Sequence, residues 1–158
     1  MHKAGLSHTR VTHMKNKKQF IIAFIIFSFS FYCGYSQDKV KLNIIVTGIK
    51  HSGGNLEVGL YNNTKNFPKD DQEYLSEIIP VTKDKVEVSF SIQQGEYAIA
   101  LYHDKNNNAV CDSNFFGIPT EGFGFSNNVR PFLSAPSFRK AKFNLVEDTT
   151  IFIRLIYM

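Results

Sequence analysis

The chain has little cysteine and no tryptophan: two Cys and no Trp in 158 residues. One of the two, Cys33, falls within an N-terminal leader, so Cys111 is left alone. A domain with a single cysteine has no internal disulfide and must be held by a hydrophobic core. Absence of Trp argues against a carbohydrate-binding module, because stacking on sugars relies on large flat rings. An excess of positive charge is also missing from the part of the chain after the leader. The formal net charge is +4, but five of the 18 Lys and Arg precede Gln37, leaving 13 against 14 Asp and Glu. The remainder is therefore close to neutral and slightly acidic, and lacks the clustered basic surface that nucleic-acid binding requires. No stretch keeps a helical period, no repeat recurs and no linker divides the chain after the leader.

The leader reads as an export signal. Met14-Lys15-Asn16-Lys17-Lys18 is a basic start, Phe20 to Tyr32 is an apolar run, and Gly34-Tyr35-Ser36 supplies small residues at the two positions that a signal peptidase reads. This predicts a signal peptide over residues 1–36, cleaved after Ser36, with residues 1–13 as an extension upstream of Met14. The apolar run is shorter than the roughly 20 residues of a membrane-spanning helix, so no transmembrane anchor is expected after cleavage. Tyr32 is a bulky neighbour for a lipidated Cys33. The expectation is an exported protein of the periplasm, the outer surface or the medium, with residues 37–158 as its one folded domain.

That domain reads as strands. Val40, Leu42, Ile44 and Val46 alternate with polar residues, the signature of a half-buried strand. Gly48 ends this run, and Ser52-Gly53-Gly54-Asn55 is turn chemistry leading to Leu56, Val58 and Leu60, which predicts a hairpin or something close to one. Residues 62–76 form a long polar loop with at most one helical turn. Ile78-Ile79-Pro80-Val81 is an edge strand, since Pro cannot donate to a central ladder. Val86, Val88, Phe90 and Ile92 make another strand. Tyr97, Ile99, Leu101 and His103 share one face of the next and Ala98, Ala100 and Tyr102 the other, which marks it as central. Phe123 and Phe125, alternating with Gly122 and Gly124, fill a core from one strand face. Ser137 is the expected cap of one helical turn, and Phe143–Leu145 and Ile151–Leu155 close the domain. Six to eight short strands over about 120 residues predict an all-β fold, a single antiparallel β-sandwich. Its core is expected to include Val58, Leu60, Val88, Phe90, Ile99, Leu101, Ile151 and Ile153.

Between the central strand and its successor lies a stretch of another kind, His103-Asp104-Lys105-Asn106-Asn107-Asn108-Ala109-Val110-Cys111-Asp112. Oxygen-bearing side chains recur there at every second residue. Set against the calcium loop D-x-[DN]-x-[DN]-G-x5-E, Asp104, Asn106 and Asn108 occupy the first, third and fifth positions, Val110 offers its carbonyl, and Asp112 stands at the ninth. Ala109 replaces the turn glycine and Phe115 the closing Glu, so Glu121 is the candidate for a further ligand. With two local carboxylates the expected affinity for Ca2+ is weak, about 10⁻⁴ to 10⁻³ M. The opposing reading is a solvated turn, because Asp and Asn favour turns for their own backbone hydrogen bonds. His103 is expected to be a hydrogen-bonded core residue. Cys111, in an acidic neighbourhood and without a His partner, is not expected to be a nucleophile.

Gly95-Glu96-Tyr97-Ala98-Ile99, His103-Asp104 with its Asn-rich loop, the block Phe116-Gly117-Ile118-Pro119-Thr120-Glu121-Gly122-Phe123-Gly124-Phe125-Ser126-Asn127-Asn128, and Pro136-Ser137-Phe138 together resemble domain of unknown function family 2141. Its members are exported bacterial proteins that often carry Gly where Ala109 stands. The resemblance implies a sandwich similar to transthyretin (prealbumin) and implies no reaction. Two classes of function follow. The first is a non-catalytic binding or structural module of the cell envelope, steadied by calcium, with an envelope partner or ligand. The alternative is a small hydrolase of transthyretin-like fold; the hydroxyisourate type ends in Tyr-Arg-Gly-Ser, whereas this sequence ends Leu155-Ile156-Tyr157-Met158.

Overall fold

Period-2 alternation is converted directly into burial. In β1 (Lys39–Thr47) Leu42, Ile44 and Val46 are buried, while β4 (Val86–Gln93) alternates buried and exposed residues without a break. The computed structural model describes residues 38–158, so the expected signal peptide lies outside the described residues. The other strands are β2 (Asn55–Tyr61), β3 (Leu75–Pro80), β5 (Gly95–Asp104), β6 (Gly122–Phe125), β7 (Phe143–Leu145) and β8 (Thr149–Arg154). They form two sheets, a three-stranded one in the order β4-β1-β8 and a five-stranded one in the order β3-β2-β5-β6 with β7 also on β5. The all-β sandwich expected from the sequence is the observed architecture. Gln37–Met158 makes one unit by itself, holding every described strand and both hydrophobic clusters.

The main core lies between the sheets. Leu42, Ile44, Val46, Val88, Phe90 and Ile153 face Leu56, Val58, Leu60, Ile99 and Leu101. Of the eight expected core residues only Ile151 is half-buried rather than buried. A second cluster covers the other face of β5: Tyr61, Phe67, Ala98, Phe123, Phe125 and Phe138. Both faces of β5 are thus covered, as its two apolar faces predict. β3 is an edge strand, paired only with β2 and closed by Pro80.

Three local expectations are corrected. β1 and β2 do not pair; β1 belongs to one sheet and β2 to the other, so residues 48–54 cross between sheets instead of forming a hairpin. Every pairing is antiparallel except one, β8 running parallel to β1 with Ile44 opposite Ile151. The chain passes from β7 in one sheet to β8 in the other, and a crossing connection of this kind can deliver the strand in either direction. The short helix α1 (Phe138–Ala141) starts after Ser137 as expected, but the Ser137 side chain makes no capping bond.

One polar residue manages a discontinuity in the larger sheet. β6 pairs with residues 100–103 of β5 and β7 with residues 95–97, on the same side of the strand. At the junction the fully buried Ser126 Oγ accepts the Ile99 N–H at 2.9 Å and donates to the Ala141 carbonyl at 2.6 Å. A backbone donor that would otherwise be orphaned inside the protein is satisfied. β5 can therefore change partners without breaking its hydrogen bonding.

Candidate functional site

The loop from Lys105 to Glu121 joins β5 to β6 at one end of the larger sheet. Side chains, rather than strand pairing, shape its first half. Asp104 is 1% exposed and its two carboxylate oxygens accept the backbone N–H groups of Asn108 (3.2 Å) and Ala109 (2.8 Å). Asn106 Oδ1 accepts the Asn108 N–H at 3.2 Å, and Asn108 Oδ1 accepts the Val110 N–H at 3.0 Å. These are successive Asx turns, in which a side chain replaces the backbone as acceptor two residues on. Asn107 and Ala109 take left-handed backbone (φ 59° and 58°). Ala109 thus adopts the conformation that a calcium loop gives to glycine, at a steric cost of roughly 1–2 kcal/mol. Asn55 Nδ2 ties the loop to β2 through Asn107 Oδ1 at 2.8 Å.

Asp112 draws the same turns together. Its Oδ2 accepts Asn106 Nδ2 at 2.7 Å and its Oδ1 accepts Asn108 Nδ2 at 3.1 Å. The structure therefore places Asp104, Asn106, Asn108 and Asp112 in one hydrogen-bonded cluster, with the half-exposed Val110 between the last two. Glu121 has a different task. One carboxylate oxygen accepts the Lys105 N–H at 2.8 Å and the other the Asp112 N–H at 3.1 Å, so this buried side chain clamps the two ends of the calcium-like segment. Among the described residues no three His, Cys, Asp or Glu side chains converge as a metal group. A cation in this cluster would rest on two carboxylates, two amide oxygens and the Val110 carbonyl. Each amide oxygen already accepts one N–H and keeps a second lone pair for an ion.

His103 is 1% exposed and its Nε2 lies 2.7 Å from the Gly53 carbonyl, the core role expected of it. Burial, with the Glu121, Asp70 and Asp112 carboxylates adding repulsion, pushes the Cys111 thiol up to about 11. A raised thiol holds less reactive thiolate at any pH below that value. At pH 8, Cys111 in the folded protein is expected to react with a thiol-specific disulfide reagent roughly a hundredfold more slowly than in urea. Equal rates would show that the loop opens freely and does not shield it.

The second half of the loop is a small hairpin that the sequence reading missed. Ser113 bridges to Pro119, the Asn114 N–H donates to the Ile118 carbonyl at 2.8 Å, and Asn114 Oδ1 accepts the N–H groups of Phe116 (3.0 Å) and Ile118 (3.1 Å). Gly117 supplies the left-handed turn (φ 74°). The construction holds Phe115 and Phe116 outward, 98% and 82% exposed, with ring centroids 5.6 Å apart and planes at 84°. The available signal was a Phe doublet framed by the turn formers Asn114 and Gly117, where no strand alternation could bury it.

Among the described residues no helix is long and apolar enough to cross a membrane. The family model described as "Uncharacterized protein conserved in bacteria (DUF2141)" matches residues 44–152, from the middle of β1 into β8. No curated protein and no solved structure matches the chain.

Proposed function

The chain belongs to the bacterial family DUF2141, and from that premise we propose that it is a non-catalytic binding or structural module of the cell envelope, steadied by one weakly held calcium ion in the 104–112 loop. The observation that carries the reading is the convergence of Asn106 and Asn108 on Asp112, above the Asp104 carboxylate that fixes their turns. Asp104, Asn106, Asn108, Asp112 and the Val110 carbonyl are the ligands. A hard cation prefers several oxygens on a tightly turned chain. On binding, it takes the place that the two Nδ2 groups hold in front of Asp112. Glu121 acts from outside this set by fixing the loop ends. The leader supports placement in the envelope. Two features favour a non-catalytic role: the His103 ring is engaged with a backbone carbonyl, and Cys111 is partly buried beside the Asp112 and Glu121 carboxylates, which disfavours a thiolate.

Thermal melting of residues 37–158 tests the calcium reading. With calcium at ten times the dissociation constant, binding to the folded state alone adds about 1.4 kcal/mol. Ten millimolar calcium should raise the melting temperature by a few degrees relative to chelator, and magnesium should do less. Asp112→Ala, at a half-exposed position, should melt at the same temperature in calcium and in chelator. No shift in the wild type, together with no heat of binding by calorimetry, leaves the loop as an Asn-rich turn.

A further inference from the structure

The Phe115–Phe116 hairpin has no role in the calcium cluster. It is not a collapsed loop, since Asn114, Gly117 and the Ser113–Pro119 bridge build it and hold both rings away from the protein. From Ser113 to Thr120 the chain carries no charge. The carboxylates at its base, Asp112 and Glu121, are engaged by donors of the loop itself. The result is a hydrogen-bonded, uncharged, convex apolar tip.

The geometry points to insertion of this tip into the interfacial zone of a lipid bilayer with zwitterionic headgroups. Size argues against a protein partner. Two Phe side chains bury about 150–250 Å² each, so the tip offers roughly 300–500 Å², below the ≈ 800 Å² per partner of a stable interface. Shape argues the same way, because rings at 84° present a face and an edge instead of one flat surface. A sugar stacks on a flat platform, and a protein would need a pocket enclosing both rings. A bilayer accepts a projecting, uncharged apolar tip without a matching surface, with a gain that scales with the apolar area buried; the exposed Phe132–Leu133 turn differs in having Arg130 two residues away. The uncharged run removes the electrostatic attraction that would direct the tip to anionic lipid. The inference rests on the envelope placement above and is independent of calcium.

The chain has no Trp, so Phe116→Trp introduces a single fluorescent reporter. Residues 37–158 are used, because this unit holds its own core and lacks the apolar leader. In chelator, phosphatidylcholine vesicles should shift the Trp emission to the blue, and the protein should float with the vesicles. Phe115→Ser/Phe116→Ser should lower vesicle partitioning at least tenfold, whereas Phe132→Ser/Leu133→Ser, at another exposed apolar turn, should leave it unchanged. Absence of flotation, equal loss in the two double variants, or binding only to vesicles containing phosphatidylglycerol would overturn the proposal. So would tip-dependent dimerisation without vesicle binding, which would make a second copy the partner. Vesicle binding in chelator and a calcium-dependent melting shift are separate readouts, so either reading can fail alone.

Discussion

Leu101→Ala should lower unfolding stability by about 2–5 kcal/mol, measured by urea denaturation of residues 37–158. Leu101 is buried at the middle of β5, opposite Val58 of β2 and Gly124 of β6. A Cβ at Gly124 would lie 3.2 Å from Leu101 Cδ1 and 2.8 Å from Ile153 Cγ2, so the two side chains already fill the space that the glycine leaves. Truncation opens a cavity where both sheets contribute atoms, and the paired strands restrict its collapse. A loss of this size is a large part of the 5–15 kcal/mol typical of a domain. Ile78→Ala on the exposed side of edge strand β3 is the control and should change little. A Leu101→Ala effect below about 1 kcal/mol would show that the site relaxes and that the intersheet core is looser than its packing indicates.

The second large effect is expected at the loop. Asp104→Ala, measured in chelator, should cost about 3–6 kcal/mol, since each hydrogen bond to a charged acceptor contributes roughly 1.5–3 kcal/mol and two are lost. The N–H groups of Asn108 and Ala109 lose their acceptor, and the left-handed Ala109 loses what holds it. Asp104→Asn keeps one side-chain oxygen and should cost about half as much. Hydrogen exchange should localise the change, with amides 105–112 exchanging faster while those of β1 and β4 are unaffected. A fully stable Asp104→Ala variant with an unchanged loop would show that the Asx turns stand without their buried carboxylate.

Alternation made most of the sandwich readable in advance. Val88 and Phe90, or Ile99 and Leu101, lie on buried faces because a strand reverses its side chains at every residue, and that rule is local. Sheet membership is not local. Ser52-Gly53-Gly54-Asn55 has hairpin chemistry, yet Leu42, Ile44 and Val46 meet Leu56, Val58 and Leu60 across the core, not edge to edge. The same limit hid the parallel approach of β8 to β1, which depends on where β7 leaves the chain. At the loop, the spacing of Asp104, Asn106, Asn108 and Asp112 was enough to foresee a tight turn of side chains bonded to backbone, but not that the Asn106 and Asn108 amide nitrogens would face Asp112. The clamp made by Glu121 was not legible, because it exists only once β6 has paired with β5 and brought the loop ends together. Phe115 and Phe116 broke the alternation, and a broken pattern does not say which way a side chain points.

The Glu121 clamp also bears on where this lobe tolerates substitution. It fixes the span from Lys105 to Asp112 and leaves the hairpin beyond Asp112 outside that frame. Substitutions between Ser113 and Pro119 therefore alter what the lobe presents without disturbing what holds it, and the exposed rings there contribute little to the core. The frame and the tip are separate in construction: one rests on burial and on the backbone bonds to Glu121, the other on its own turn at Asn114 and Gly117.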